Sequence, residues 1–369
     1  MTQRCVLHVG MPKCGSSALQ TALSLNPELA PVGASAGARY MALERSGHLI
    51  FGRELLARAV ASPSGYLASA RLAQLAALGD LALRRLGEEI TRAAAGSVVV
   101  LSSEGWGNRS RGFQEHGILQ RLGLEVEVVM YVRPQVACCN SAWWQWGAWG
   151  GVPLPRWVQG HLGRVQWGQA AREWAEVPGV MAVRSRLLPT NVVADFCALL
   201  GVAAPAEPVV NPSLSGSVLR LFQRHRSLRP GPHDSGIEFV LGRHLQYAGE
   251  PTPWVLGPGL VRRIIDGCRV SNEALLDLMD PADAERMRGD PAWWSAAHWA
   301  GRDVLPWQAP AAEAAESDAL AAAAIAALQR IDKSHRELLA RALRKDAAHA
   351  EQGALTSLLT LSGRSQRDG

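Results

Sequence analysis

The 369-residue sequence predicts an α/β fold of three layers, a central and mainly parallel sheet flanked by helices, with an Ala-rich helical segment added at the C-terminus. Three observations predict it. Short apolar runs of strand length alternate with longer segments of helical periodicity, the pattern of a parallel sheet joined by right-handed crossovers. The first run passes through a Gly-containing loop straight into a helix. Several later runs end in a polar or charged residue, and in such sheets ligands bind outside the carboxyl ends of the strands.

Cys5 to Val9 (CVLHV) reads as a buried strand closed by Gly10, and Ala18 to Leu25 as a helix, with apolar residues at 18, 19, 22, 23 and 25. Residues 52–62 and 66–95, rich in Leu, Ala and Arg, read as helices. Ser97 to Leu101 is a second strand running into Ser102-Ser103-Glu104, and Glu125 to Val132 a third ending at Arg133-Pro134. Proline suits a helix start, so 135–146 reads as helix. Gly179 to Val183 is a fourth strand, and Leu187 to Leu200 a helix with Gly201 as its C-cap. Beyond residue 205 Pro and Gly become denser and the pattern weakens, with helices over 217–226 and 259–279. The Ala-rich segment runs from Ala311 to about Ala350. Its stripe of Leu328, Ile331, Leu338, Leu339, Ala342 and Leu343 suits a packing face or a homodimer contact. The chain divides into a main domain, 1–305, and a helical extension, 306–369. It contains no internal repeat.

Composition excludes several classes. With 48% hydrophobic and 19% charged residues the chain is not disordered. Its apolar stretches are interrupted well short of the roughly 18 residues a membrane span needs, so no integral membrane segment is expected. Residues 1–6 lead directly into a strand, without the apolar core of a secretory signal. Six Cys, with no CxxC pair, suggest neither a disulfide framework nor a zinc site. Reduced thiols in a cytoplasm are the simplest reading. The net charge of +5 comes mostly from scattered Arg. That argues against nucleic acid and suits a small anionic ligand.

Gly10-x4-Gly15-Ser16-Ser17 approaches the triphosphatase pattern GxxxxGK[ST], so the fold is P-loop-like. The departure is that Ser16 stands where that pattern has Lys, and the Lys lies inside the loop, at Lys13. There it can reach a bridging oxygen of a shorter anion. Pro12-Lys13-Cys14-Gly15-Ser16-Ser17 resembles the 5′-phosphosulfate loop of sulfotransferases that use 3′-phosphoadenylyl sulfate (PAPS), written PKxGTT or PKSGST. In that family a later strand ends in an Arg, and a Ser follows eight positions on. Arg133 and Ser141 stand at that spacing here. The resemblance implies a sulfotransferase domain over 1–305. Pro12, Lys13, Cys14, Gly15, Ser16, Ser17 and Ala18 would cradle the phosphosulfate, and Arg133 and Ser141 would grip the 3′-phosphate. The product would be adenosine 3′,5′-bisphosphate, with no metal required. The likeness is good over 5–23 and 98–144 and looser over 184–202 and 211–215. The glycine-rich RKGxxGDW motif of the cytosolic animal enzymes is absent. That points to the bacterial or carbohydrate-type branches, with a carbohydrate, glycan or glycolipid acceptor.

Sulfuryl transfer needs a base for the attacking hydroxyl and a cation for the leaving oxygen. Lys13 is the candidate for the second task. Glu104, just after the second strand, resembles the base of carbohydrate sulfotransferases. Its alternative is a structural carboxylate that caps the next helix or pairs with Arg109. His8 reads as packed inside its strand, and His48 and His116 are rival bases. Thirteen Trp is an unusual number. Trp143, Trp144, Trp146 and Trp149 cannot all face one core, so one or two are expected to line an acceptor groove, joined by Trp106. The candidate acceptor-binding set is Trp106, Trp143, Trp146 and Trp149. Trp293, Trp294 and Trp299 read as packing. The rival functions are a P-loop kinase and a non-catalytic nucleotide-binding protein.

Overall fold

The computed structural model describes residues 4–206, 214–244, 251–305, 321–322 and 324–344. The strands are β1 (Cys5–Val9), β2 (Glu28–Leu29), β3 (Ala38–Leu43), β4 (Leu49–Phe51), β5 (Val98–Ser103), β6 (Val126–Val132) and β7 (Val180–Leu187). Among the described residues they form one sheet in the order β2-β3-β5-β1-β6-β7, with β4 beside β3. The pairs β3–β5, β5–β1, β1–β6 and β6–β7 are parallel, and only β2–β3 and β3–β4 run antiparallel. The α/β fold with a mainly parallel, helix-flanked sheet is as the sequence predicts.

Helices α1 (Ser16–Leu25), α2 (Gly52–Ala61), α3 (Leu72–Ala76), α4 (Asp80–Ala94), α5 (Ser110–Glu115), α6 (Ile118–Leu122) and α7 (Gln135–Gln145) precede the last strand. So do α8 (Leu154–His161) and α9 (Trp167–Ala175). Helices α10 (Val192–Leu200), α11 (Gly216–Arg224), α12 (Gly236–His244), α13 (Pro258–Leu276) and α14 (Pro281–Gly289) follow it.

β1 is central and all five of its residues are buried, which explains an uninterrupted apolar run around His8. His8 Nδ1 lies 2.8 Å from Ser102 Oγ on β5, and Gln20 of α1 donates to the same hydroxyl at 3.0 Å. One buried serine therefore joins the two central strands to the helix that carries the loop.

Local reading errs where pairing is non-local. The expected helix over 66–95 is instead α3 and α4, preceded by an irregular stretch: Ser69 N donates to Ser102 O, and Ala70 N to Leu43 O. The hairpin of β3 and β4 went unpredicted because ARYMAL carries no alternation. β7 extends to Leu187, paired with Val132, so the next helix starts at Val192 and not at 187. Pro189 disfavours helix before it, and Asn191 caps α10 by accepting from Ala194 N at 2.7 Å. Gly201 is the left-handed C-cap, as expected.

The Ala-rich segment is helical over 324–344; its expected ends, 311–320 and 345–350, lie outside the described residues. Ile325 and Ala340 are buried, and Arg336, ion-paired with Asp332 at 2.7 Å, donates to Ala61 O at the end of α2. The predicted stripe is divided, because Ile331, Leu338 and Leu339 face outward. Among the described residues no helix is long and apolar enough to cross a membrane. All six Cys are free thiols and buried.

Candidate functional site

The carboxyl ends of β1, β5 and β6 open on a cavity of about 330 Å³. The loop after β1 forms its floor. Gly15 at φ 83° is the N-cap of α1, and Lys13 also lies in the left-handed region at φ 58°. Few non-glycine residues adopt that conformation, and such strain clusters at functional sites. Gly10 permits the fold of the loop: a Cβ there would come within 2.4 Å of Ser16 Oγ and 2.8 Å of Glu104 Cα. The missing side chain lets the strand end carrying Glu104 close onto the helix start.

Lys13, Cys14, Gly15, Ser16, Ser17 and Ala18 all line the cavity. The first amides of a helix have no intrahelical acceptor, and the helix dipole favours an anion there. No acidic residue occupies the first turn of α1 to satisfy that demand. Ser16 Oγ is buried without a hydrogen-bond partner. Pro12, expected in the same cradle, does not line the cavity. Its carbonyl instead accepts from two thiols, Cys14 Sγ at 3.3 Å and Cys138 Sγ at 3.2 Å, fastening the loop to α7. Burial pushes both thiols up, Cys138 to about 12.

Arg133 follows β6, and Ser141 lies on α7; both line the cavity. Arg133 Nη1 donates to Lys13 O at 3.3 Å, and no ion pair with a carboxylate compensates its charge among the described residues. The buried Trp167 indole fixes its backbone by donating to Arg133 O at 2.9 Å.

Glu104 starts a 3-10 turn at the end of β5 and lines the same cavity. None of the described residues hydrogen-bonds its carboxyl group, and the alternative pairing with Arg109 does not form. Burial raises its pKa, and the Lys13 ammonium opposes the rise. Such a group takes a proton more readily than an ordinary carboxylate. His48 and His116 are exposed and do not line the cavity. His8 is packed in the core, its pKa pushed down to about 4 by burial.

The tryptophans expected at an acceptor groove stand away from this cavity. Trp106, Trp143 and Trp149 are buried and line no part of the cavity. Trp106 donates to Ala70 O at 2.9 Å and Trp149 to Trp144 O at 2.7 Å. Trp143 packs edge-on against Trp157, with ring centroids 5.5 Å apart. Trp146 is half-buried and tilts toward His161, also away from the cavity. These rings support the loops and helices around the site: Trp174 donates to Gly107 O at 3.0 Å and Trp144 to Pro253 O at 2.8 Å.

The remaining lining residues had no sequence reading as site residues: Gln145, Leu188, Leu214, Glu238 and Phe239. Glu238 Oε1 lies 2.7 Å from Nε of the buried Arg229. Burial raises its carboxyl pKa, with Arg229 and then Lys13 opposing. Tyr66 packs edge-on to Phe239, ring centroids 6.1 Å apart. Burial raises its hydroxyl pKa, as does the neighbouring Glu104. No signal marked Glu238 or Tyr66, because neither belongs to a local motif. Among the described residues no group of three or more His, Cys, Asp or Glu could hold a metal ion.

No family model and no curated protein matches the chain. Among solved structures it is similar to the crystal structure of a sulfotransferase from Alicyclobacillus acidocaldarius, at 14% identity and a TM-score of 0.35, over 62% of this chain and 92% of that one. A likeness so slight leaves the function to be read from the site.

Proposed function

We propose that the protein is a PAPS-dependent sulfotransferase that moves the sulfuryl group to a hydroxyl of a carbohydrate, glycan or glycolipid acceptor, with residues 1–305 as its sulfotransferase domain. The observation that carries the proposal is the lining of one cavity. Lys13, the start of α1, Arg133 and Ser141 line it together with the carboxyl of Glu104, and Arg133 has no carboxylate ion pair among the described residues. The orphaned, buried Ser16 hydroxyl and the room that Gly10 leaves suit an anionic group over the loop. Lys13 and Arg133 supply two cations to one cavity, which suits a ligand with two anionic ends.

Bound there, PAPS supplies a sulfuryl group already activated by its phosphosulfate anhydride. Lys13, Gly15, Ser16, Ser17 and Ala18 would hold the phosphosulfate end, and Arg133 and Ser141 the 3′-phosphate. A Glu104 carboxylate oxygen accepts the proton of the attacking hydroxyl, and burial raises its proton affinity for that task. The Lys13 ammonium offsets the charge that gathers on the leaving oxygen.

The test is transfer of radiolabelled sulfur from PAPS to a panel of glycans, glycolipids and small alcohols, with Glu104→Gln alongside. Labelled product from the wild type, lost in the variant, is expected. Absence of product with every acceptor, although adenosine 3′,5′-bisphosphate binds, would favour a non-catalytic binding protein.

A further inference from the structure

Glu238 has no task in the chemistry above, yet it lines the same cavity. It reaches the site from α12, outside the loop and strand ends that form the anion cradle. Its position is set by Arg229, a fully buried side chain that also donates to Gly231 O at 2.8 Å and Gln145 O at 2.6 Å. The guanidinium does not line the cavity, whereas Glu238 does, with 19% of its side chain exposed. Arg229 Nε lies 2.7 Å from Oε1 and holds the carboxylate at the cavity wall. A carboxylate repels phosphate and sulfate, so although the Lys13 charge reaches it, Glu238 suits a neutral acceptor better than the anionic donor. Beside it Phe239, braced by Tyr66, offers an apolar ring.

We propose that Glu238 is a specificity-determining residue for the acceptor: it accepts a hydrogen bond from a second hydroxyl of an uncharged, polyhydroxylated acceptor lying against Phe239, and it turns away acceptors that carry a carboxylate nearby. This rests on the sulfotransferase reading above. A hydroxyl satisfies a half-buried carboxylate, whereas a second carboxylate beside it is repelled with little water to screen the charge. Glu238 is not a second base. Burial raises both carboxyl groups, but only Glu238 is held by an ion pair, with Arg229, and that pair gives it a positioning task distinct from proton abstraction.

The test compares methyl β-D-glucoside with methyl β-D-glucuronide, which differ in one carboxylate, as acceptors of labelled sulfur from PAPS. The wild type should favour the glucoside by about tenfold or more in kcat/KM, the scale of a like-charge contact in a half-dry site. Glu238→Gln should raise the glucoside KM about tenfold, with a smaller change in kcat, and bring the two acceptors within about threefold. Glu238→Asp should restore rejection of the glucuronide, and both variants should bind adenosine 3′,5′-bisphosphate as the wild type does. Equal use of both sugars by the wild type, an unchanged ratio in Glu238→Gln, or no transfer to either sugar while the bisphosphate binds would overturn the inference and leave the donor site standing. Loss of bisphosphate binding in Glu238→Gln alone would make the residue structural. Failure of the wild type to bind the bisphosphate would bring down the donor reading, and this inference with it.

Discussion

Glu104 and Lys13 lie on one cavity but differ in what removing each should do. Glu104→Gln keeps the shape of the side chain and cannot accept a proton, so kcat should fall by about 10²–10⁴ while adenosine 3′,5′-bisphosphate affinity holds. Lys13→Ala should lose turnover and weaken the bisphosphate as well, because Lys13 lines the loop that would hold it. Steady-state kinetics with calorimetry separates the two; equal loss of binding in both variants would deny both roles. The pH profile gives a further check. A base acts deprotonated, and Glu104 is raised by burial. The acid limb of kcat should therefore lie above the ordinary carboxylate range and disappear in Glu104→Gln. At the same scale, Gly10→Ala would drive a Cβ toward the Glu104 backbone and Ser16. It should cost bisphosphate affinity, read by the same calorimetry, although it removes no charge.

At the scale of elements, Trp167 and α7 decide whether Arg133 and Ser141 sit together. Trp167→Phe keeps an aromatic side chain, deletes the indole N–H that donates to Arg133 O and leaves a small cavity where the buried second ring stood. An unmade hydrogen bond of this kind costs about 1–3 kcal/mol. Chemical denaturation should show a loss of at least that size, because the smaller ring also leaves a cavity, with a weaker bisphosphate complex; an unchanged complex would mean that Arg133 needs no such support. The elements differ in how far the sequence disclosed them. β1, the loop and α1 are contiguous, so Gly10, Lys13 and Gly15 marked on their own the loop that lines the cavity. Arg133 and Ser141 are carried on a strand and the helix that follows it, and their spacing survives folding intact. The antiparallel strands β2 to β4 depend on partners distant in the chain, and ARYMAL does not reveal them. Glu238 is 105 residues beyond Arg133 and reaches the cavity from α12, where its ion pair with Arg229 holds it. The tryptophans misled for a related reason: their number suggested a groove, but burial and a carbonyl within reach turned several into supports for site loops.

For the whole molecule, acid stability should report the buried histidines. Burial holds His8 and His161 at about 4 in the folded chain, against 6.5 for the free group. The unfolded chain therefore binds more protons between these values. The stability that the neutral rings retain above pH 6.5 is lost as pH falls toward 4. Each ring contributes a slope of up to about 1.4 kcal/mol per pH unit across that window. Denaturant melts at pH 7, 6, 5 and 4 should show the fall, and His161→Gln should make it shallower. A flat profile would mean that other groups compensate or that the rings are not buried neutral.

A cavity that holds two anionic ends of one ligand at once is tested most directly by calorimetric titration of the wild type with adenosine 3′,5′-bisphosphate and with adenosine 5′-phosphate. The bisphosphate should bind far more tightly, without added magnesium, and Arg133→Ala should remove about 2–4 kcal/mol of that advantage, the scale of a lost partly buried charge contact. Equal binding of the two nucleotides would contradict the assignment of Arg133 and Ser141 to the 3′-phosphate, and with it the PAPS-dependent reading of the cavity.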